Sequence, residues 1–172
     1  MKVMTKKKFS VIGIGYVGLP LAVALSRNNK IVGFDTNINR VKGLQKGNDI
    51  TKEFKKNDFI KNKNLIFTNK EAEIKNSDVF FITVPTPIND KNKPNLDHLE
   101  QASKTVARNI KKNSIVVFES TVYPGCTEEI CLPILEKFSR LKANKDFYLA
   151  YSPERINPGK SKYKLKNTIK VL

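Results

Sequence analysis

The sequence predicts an α/β fold in which a doubly wound parallel sheet carries helices on both faces. Short apolar runs alternate with helix-like segments along the 172 residues, which is the pattern of repeated strand–helix–strand units. The apolar runs are continuous, as in strands that are buried on both sides. The first run leads directly into the glycine-rich stretch 13–18, which permits a tight turn from a strand into a helix.

The first strand and helix surround three closely spaced glycines. Gly13, Gly15 and Gly18 lie where an apolar run at 9–14, which includes Gly13, leads into a helix-like segment at 19–27. This G-x-G-x-x-G spacing holds the pyrophosphate of a dinucleotide at a helix N-terminus. Gly13 permits the turn, Gly15 lets the backbone approach the phosphates, and Gly18 lets the helix pack on the strand. The motif therefore predicts a Rossmann-like sheet with a dinucleotide site.

The second strand ends in an acid. The apolar run 30–34 leads to Asp35, which lies 20 residues after Gly15. A carboxylate at this separation in sequence accepts hydrogen bonds from the ribose hydroxyls of NAD and repels the 2′-phosphate of NADP. The alternative is that Asp35 only caps the next helix, with Thr36 or Asn37 as competing caps. The order of strand, glycines, helix, strand and acid favours the cofactor role, and NAD over NADP.

The remaining elements continue the alternation. Helices are predicted over residues 39–47, 53–63, 70–76, 96–112 and 129–139. Strands are predicted over residues 65–67, 79–84, 115–118 and 147–150, and another begins at 168–172. Pro85 and Pro87 end the strand at 84, and Pro133 is expected to kink the last helix. No linker or repeat divides the chain, so residues 1–172 are expected to form one domain.

The composition limits the class of protein. Apolar residues make up 40% of the chain, which is enough for a core, and no apolar run is long enough to span a bilayer. A strand and glycines, rather than a signal-peptide core, follow the basic N-terminus, which predicts a cytoplasmic protein with no membrane partner. Cys126 and Cys131 are five residues apart and are not expected to lie side by side on a helix. With His98 as the only histidine, no disulfide framework and no metal site are predicted.

The net charge of +16 has two interpretations. A basic chain of this kind can be a nucleic-acid-binding module. However, the lysines are spread along the chain and alternate with asparagines, as in residues 61–64 and 89–93. That pattern is typical of the amino-acid bias of an A·T-rich genome. It favours solvated surface lysines and no nucleic-acid partner.

Three further motifs immediately follow predicted strands: Val84-Pro-Thr-Pro87, residues 119–125 (ESTVYPG) and residues 151–159 (YSPERINPG). Ligands of open parallel sheets bind beyond the carboxyl ends of the strands. Together with the motifs at 13–22 and 33–35, they resemble the N-terminal NAD-binding domain of the UDP-glucose/GDP-mannose dehydrogenase family. The resemblance is closest to the branch that oxidises UDP-N-acetylhexosamines.

The resemblance implies an enzyme that oxidises the C6 alcohol of a UDP-N-acetylhexosamine to a carboxylate with two NAD, for surface polysaccharide precursors. It implies a catalytic role for Thr121, which would help to orient the hydrolytic water. It implies a water-orienting or acid/base role for Glu154. The cofactor-binding residues that it implies are Gly13, Gly15, Tyr16, Val17, Gly18, Asp35, Arg40, Val84, Pro85, Thr86, Ser120 and Thr121.

Simpler interpretations stay open for several of these residues. Thr121 could bond its own backbone, Glu154 could act as a cap or pair with Arg155, and Arg40 could be a solvated surface residue. The motif at 84–87 could be a plain strand terminator. For the whole chain, the alternative function is the cofactor domain of another NAD-dependent dehydrogenase, of the UDP-glucose, GDP-mannose or hydroxyacid type.

Two departures from the family pattern qualify the resemblance. Pro158 stands where the UDP-glucose branch carries a second glutamate, which fits the N-acetylhexosamine branch and leaves Glu154 alone. The family's catalytic cysteine lies in a later domain, and Cys126 and Cys131 lie in the wrong motif and are expected to be packing residues. We therefore expect the cofactor domain of a longer, homodimeric enzyme. By itself this domain would be inactive, and without the family's central dimerisation helix it is compatible with a monomer.

Overall fold

The computed structural model describes residues 7–90 and 92–154. Its strands are β1 Lys8–Ile12, β2 Lys30–Phe34, β3 Leu65–Thr68, β4 Val79–Ile82, β5 Ile115–Phe118 and β6 Tyr148–Tyr151. They form one sheet in the order β3-β2-β1-β4-β5-β6, and each neighbouring pair is parallel. The predicted doubly wound α/β sheet is confirmed.

The connections between strands are helical. The helices are α1 Gly18–Leu25, α2 Ile38–Gln45, α3 Lys56–Phe59, α4 Asp97–Ala107 and α5 Leu132–Ser139. A 3₁₀ turn covers Glu71–Ile74, and a π-helical turn, Thr127–Cys131, leads into α5. Within the described residues, no helix combines the length and the apolar character that crossing a bilayer requires.

The core lies on both faces of the sheet. Successive strand residues point to opposite faces, and the two core clusters follow this alternation. Val11 packs in a cluster with Leu19 of α1, whereas the next residue, Ile12, packs in a cluster with Leu99 of α4 and Leu135 of α5. Strands covered on both sides read as continuous apolar runs, which explains why the sequence revealed them.

The register brings the ends of the strands to one edge. Ile12 is opposite both Phe34 and Ile82, and Phe118 is opposite both Ile82 and Tyr151. The strand order reverses between β1 and β4, and ligands of such sheets bind in the crevice at this reversal. The glycine loop and the motifs that follow β4, β5 and β6 therefore share one edge of the sheet.

The helix predicted over 53–63 is reduced to the single turn α3. The reason is the Asp49 carboxylate, which accepts the backbone N–H groups of Thr51, Glu53 and Phe54. A side chain that bonds nearby backbone N–H groups competes with helix formation. The residues before α3 therefore form a loop wrapped around Asp49.

Helix α4 ends at Ala107, five residues before the predicted end at 112. The Asn109 side chain donates to the Thr105 carbonyl, and the Asn109 carbonyl accepts the Asn76 N–H. These bonds turn the chain toward β5. The predicted helix at 70–76 is the short 3₁₀ turn.

The helix predicted over 129–139 begins earlier, as the π-helical turn. The Leu132 N–H bonds the Thr127 carbonyl, five residues back, and Pro133 lies in the first turn of α5, where a proline needs no intrahelical partner. Cys126 and Cys131 are both buried in the same core cluster, and each thiol is close enough to influence the pKa of the other. The prediction that they do not lie side by side is wrong, because the five-residue repeat of the π turn aligns them.

Some predictions fall outside the described residues. These are the strand at 168–172 and the part of the last motif from Arg155 to Gly159, including Pro158.

Candidate cofactor site

A cavity of about 380 Å³ opens at the carboxyl edge of the sheet, between the glycine loop and α4. Five predicted cofactor-binding residues line it, namely Gly13, Gly15, Asp35, Val84 and Pro85. The other lining residues are Ile12, Phe34, Thr36, Asn37, Thr83, His98, Gln101, Ala102 and Thr105.

The three glycines of the loop are required for different reasons. Gly13 has a φ of +91°, which L side chains rarely adopt. A Cβ at Gly18 would lie 1.9 Å from the Gly13 carbonyl oxygen, so α1 packs where only glycine fits. A Cβ at Gly15 would meet no atom within 4 Å. The fold therefore requires Gly13 and Gly18, whereas the open space at Gly15 belongs to the cavity.

The N-terminus of α1 is available to an anion. Its N-cap residue, Val17, makes no side-chain cap, and the first turn contains no acidic residue. The first turn of a helix leaves N–H groups without intrahelical partners and carries partial positive charge. Gly15, Tyr16, Val17 and Gly18 lie at this helix N-terminus, but of these four predicted residues only Gly15 lines the cavity. Tyr16 is 53% exposed. The arrangement suits a phosphate group.

Asp35 faces the cavity and is tied to the glycine loop. Its Oδ2 accepts the Ile14 N–H at 2.9 Å, and its Oδ1 accepts the Asn37 N–H at 2.9 Å. The N-cap of α2 is Asn37, whose Oδ1 accepts the N–H groups of Asn39 and Arg40. The capping role for Asp35 is therefore excluded. Because each carboxylate oxygen accepts more than one hydrogen bond, Asp35 keeps acceptor capacity toward the cavity.

Arg40 is buried rather than solvated, which excludes the surface interpretation. Its Nε donates to the Ile14 carbonyl at 2.7 Å, and its Nη1 pairs with Asp49 at 2.8 Å. Arg40 is not among the residues that line the cavity. Burial by itself raises the pKa of Asp49, but hydrogen bonds from Thr51, Arg40 and the backbone outweigh it and hold this pKa below its ordinary value.

The loops after β4 and β5 are joined by two hydrogen bonds. The buried Ser120 hydroxyl donates to the Val84 carbonyl at 2.7 Å, and the Thr86 hydroxyl donates to the Thr121 carbonyl. Thr121 is exposed. The structure thus brings the two predicted motifs together at the edge of the sheet, although Thr86, Ser120 and Thr121 do not line the cavity.

Glu154 follows β6 at the same edge. The Ser152 N–H donates to the Phe118 carbonyl at 2.9 Å, which holds this segment beside the end of β5. Glu154 itself is partly buried. Its predicted alternative partner, Arg155, lies outside the described residues.

One wall of the cavity was not predicted. His98, Gln101 and Thr105, on α4, line it together with Ala102. The first three lie at i, i+3 and i+7, which places them on one side of a helix. The spacing of these polar residues along α4, beside its buried apolar side, was the signal that could have revealed this wall. The sequence does not show, however, which strand ends that part of α4 faces.

Comparison with known proteins identifies the domain. Residues 7–172 match the family model for the UDP-glucose/GDP-mannose dehydrogenase family, NAD binding domain. The chain is 48% identical over 164 residues to the UDP-N-acetyl-D-glucosamine 6-dehydrogenase of Salmonella typhi, covering 95% of this chain and 39% of that protein. It is 47% identical over 166 residues to protein CapL of Staphylococcus aureus, covering 96% and 39%.

A solved structure agrees with the sequence comparison. The fold matches that of the UDP-D-ManNAc dehydrogenase of Pyrococcus horikoshii with a TM-score of 0.82 and 34% identity, covering 88% of this chain and 37% of that chain. The chain spans about two fifths of the length of the curated relatives it matches. With its glycine loop, Asp35 and parallel sheet in the matched region, this chain belongs to the UDP-glucose/GDP-mannose dehydrogenase family, as an NAD-binding domain.

Proposed function

We propose that this chain serves as the cofactor domain of a nucleotide-sugar 6-dehydrogenase that oxidises the C6 alcohol of a UDP-N-acetylhexosamine to a carboxylate, for surface polysaccharide precursors. Identities of 45–48% to two UDP-N-acetyl-D-glucosamine 6-dehydrogenases support this substrate class. The catalytic cysteine is expected in another part of the enzyme, since the cysteines of this chain pack in the core.

The observation that carries the cofactor role is the open space at Gly15. The backbone there needs no glycine for its fold, yet a Cβ would intrude into the cavity beside the uncapped N-terminus of α1. The Asp35 carboxylate and the apolar side chains of Val84 and Pro85 line the same cavity. The N-terminus of α1 beside Gly15 fits the pyrophosphate of NAD, and the Asp35 carboxylate fits the ribose hydroxyls. The apolar side chains of Val84 and Pro85 fit the adenosine.

When bound, NAD supplies the capacity to accept a hydride from the substrate carbon. The chain's own residues have binding and orienting roles. The N–H groups of the glycine loop and of α1 would bind the pyrophosphate, and the Asp35 carboxylate would accept hydrogen bonds from the ribose hydroxyls. Thr121 and Glu154, at the ends of β5 and β6, are proposed to orient the hydrolytic water. Ser120 supports this edge by bonding the Val84 carbonyl.

Calorimetric titration of the chain with NAD⁺ and NADP⁺ tests the proposal. We expect saturable binding of NAD⁺ and much weaker binding of NADP⁺, because the Asp35 carboxylate repels a 2′-phosphate. Asp35→Asn keeps an acceptor for the Ile14 N–H but removes the charge, so it should reduce the difference in affinity between NAD⁺ and NADP⁺. We also expect no oxidation of UDP-N-acetylglucosamine by the chain alone.

Three outcomes would contradict parts of this proposal. Absence of binding by the wild-type chain would refute the cofactor site. Equal affinities for NAD⁺ and NADP⁺ would refute the role of Asp35. Turnover of a UDP-sugar by the chain alone would refute the expectation that the catalytic cysteine lies in another part of the enzyme.

A further inference from the structure

We propose that Asp49 and Arg40 are positioning residues that aim the Gly15 N–H at the cofactor pyrophosphate, and that they act through the loop backbone. This inference rests on the proposed cofactor site. It assigns a role to Asp49, which does not line the cavity, and it adds support of the glycine loop to the role of Arg40.

Side chains hold both peptide groups of Ile14. Asp35 accepts the Ile14 N–H, and Arg40 Nε donates to the Ile14 carbonyl at 2.7 Å. None of the peptide bonds in the described residues is cis, so the C=O and N–H of the Ile14–Gly15 peptide point in opposite directions. Because the carbonyl points to the buried guanidinium, the Gly15 N–H points away from it.

The direction of this peptide matters for an anion. Gly15 lines the cavity, whereas Arg40 lies outside the lining. With the carbonyl held by Arg40, the cavity receives the donor side of the peptide. If the peptide turned over, a carbonyl oxygen would face the phosphate position and repel it. A glycine resists this rotation less than any other residue, so the loop depends on an external hydrogen bond.

Arg40 in turn depends on Asp49. The two side chains are 5% and 0% exposed, and a buried ion pair is stable only when further hydrogen bonds satisfy its polar atoms. Asp49 also accepts the Thr51 hydroxyl and the backbone N–H groups of the loop before α3. Asp49 is therefore fixed by its own loop, and it holds the guanidinium in the orientation that reaches Ile14.

One nitrogen supports a role beyond packing. Arg40 Nη2 is buried and has no hydrogen-bond partner within the residues that the structure describes. An unsatisfied buried donor destabilises a fold, and an apolar side chain would avoid this loss. The arginine is explained by the bond that its Nε makes to the glycine loop.

Asp49→Asn tests the proposal, because it preserves the shape of the side chain and removes the charge that fixes Arg40. We expect the dissociation constants of NAD⁺ and ADP-ribose to rise by about tenfold or more, the loss of one charge-assisted hydrogen bond. The affinity for adenosine, which lacks the pyrophosphate, should not change. In the free chain, the NMR signal of the Gly15 amide should shift.

Asp78→Asn is the matched control. It makes the same substitution at another paired carboxylate, which bonds Lys111 and the Lys8 N–H before β4 and does not line the cavity, so it should lower thermal stability and leave NAD⁺ affinity unchanged. If the Asp49 variant does not fold, Arg40→Lys replaces it. Lysine keeps the charge but lacks the planar fork that bonds Asp49 and Ile14 together, and the same loss of ADP-ribose affinity with adenosine binding unchanged is expected.

The outcomes separate this inference from the proposed function. If the wild-type chain binds neither NAD⁺ nor ADP-ribose, both fail. If it binds them and Asp49→Asn binds ADP-ribose as well as wild type, only the positioning role fails. Equal losses for adenosine and ADP-ribose would also overturn it, since they would indicate general damage to the fold.

Discussion

At the scale of single residues, the loop glycines differ in what one added methyl group would do. Gly18→Ala places a Cβ against the Gly13 carbonyl, so we expect a loss of about 1–3 kcal/mol in the free energy of unfolding. Gly15→Ala meets no atom and requires no positive φ. We expect its stability to match or exceed that of wild type, while NAD⁺ affinity falls by at least about tenfold.

Thermal unfolding and calorimetric titration of the two variants check this prediction. Gly15→Ala is expected to change NAD⁺ affinity without lowering stability. Gly18→Ala is its control, because it is expected to lower stability. Unchanged NAD⁺ affinity in Gly15→Ala would show that the open space at Gly15 is not occupied by the cofactor.

At the scale of elements, the π-helical turn before α5 determines the chemistry of the two cysteines. Burial raises the pKa of the Cys131 thiol to about 12 and also raises the pKa of Cys126. Because the thiolate is the reactive form, we expect neither cysteine to react with iodoacetamide in the native chain at pH 8. Both should react after unfolding, and mass spectrometry measures the difference.

The same shift makes stability depend on alkaline pH. The folded pKa of Cys131 lies above the unfolded value near 9, so its contribution is complete below pH 9 and is lost as the pH rises toward 12. Cys131→Ala should therefore lose less of its free energy of unfolding between pH 8 and pH 10 than wild type does. Rapid alkylation of the native chain or equal losses in both proteins would contradict the burial argument.

At the scale of the whole molecule, net charge and paired carboxylates act together. Partners hold the pKa of several carboxyls below ordinary values of 3.8 for aspartate and 4.5 for glutamate, namely Asp49, Glu71, Asp78, Glu136 and Asp146. A depressed folded pKa contributes stability above the unfolded value, and this stability is lost as the pH falls through the folded pKa. Protonation of all 16 carboxylates would also double the net charge of +16.

We therefore expect the melting temperature to fall steeply below about pH 4. Added salt should restore part of the loss by screening the repulsion between lysines. Asp49→Asn should show a smaller loss, since its side chain does not titrate. Thermal unfolding from pH 7 to pH 3 at low and high salt measures these effects, and a constant melting temperature down to pH 3 would contradict them.

The sequence by itself determined the parallel sheet, the glycine loop and the position of Asp35. These features depend on local rules: the strands are continuous apolar runs, and the loop needs glycines at fixed spacing for its turn and close packing. Parallel order then places the ends of the strands at one edge. The sequence could therefore predict the edge of the sheet at which the candidate cofactor site lies and five residues of its cavity.

Only the tertiary structure decided how the supporting residues act. The direction of Arg40, its partnership with Asp49 and the α4 wall with His98 depend on contacts between segments that the chain order does not bring together. The π turn that aligns Cys126 with Cys131 is likewise invisible to a search for the α-helical repeat. The physical reason is that the direction of a long polar side chain depends on partners far away in the sequence. The periodicity of strands and helices depends only on neighbouring residues.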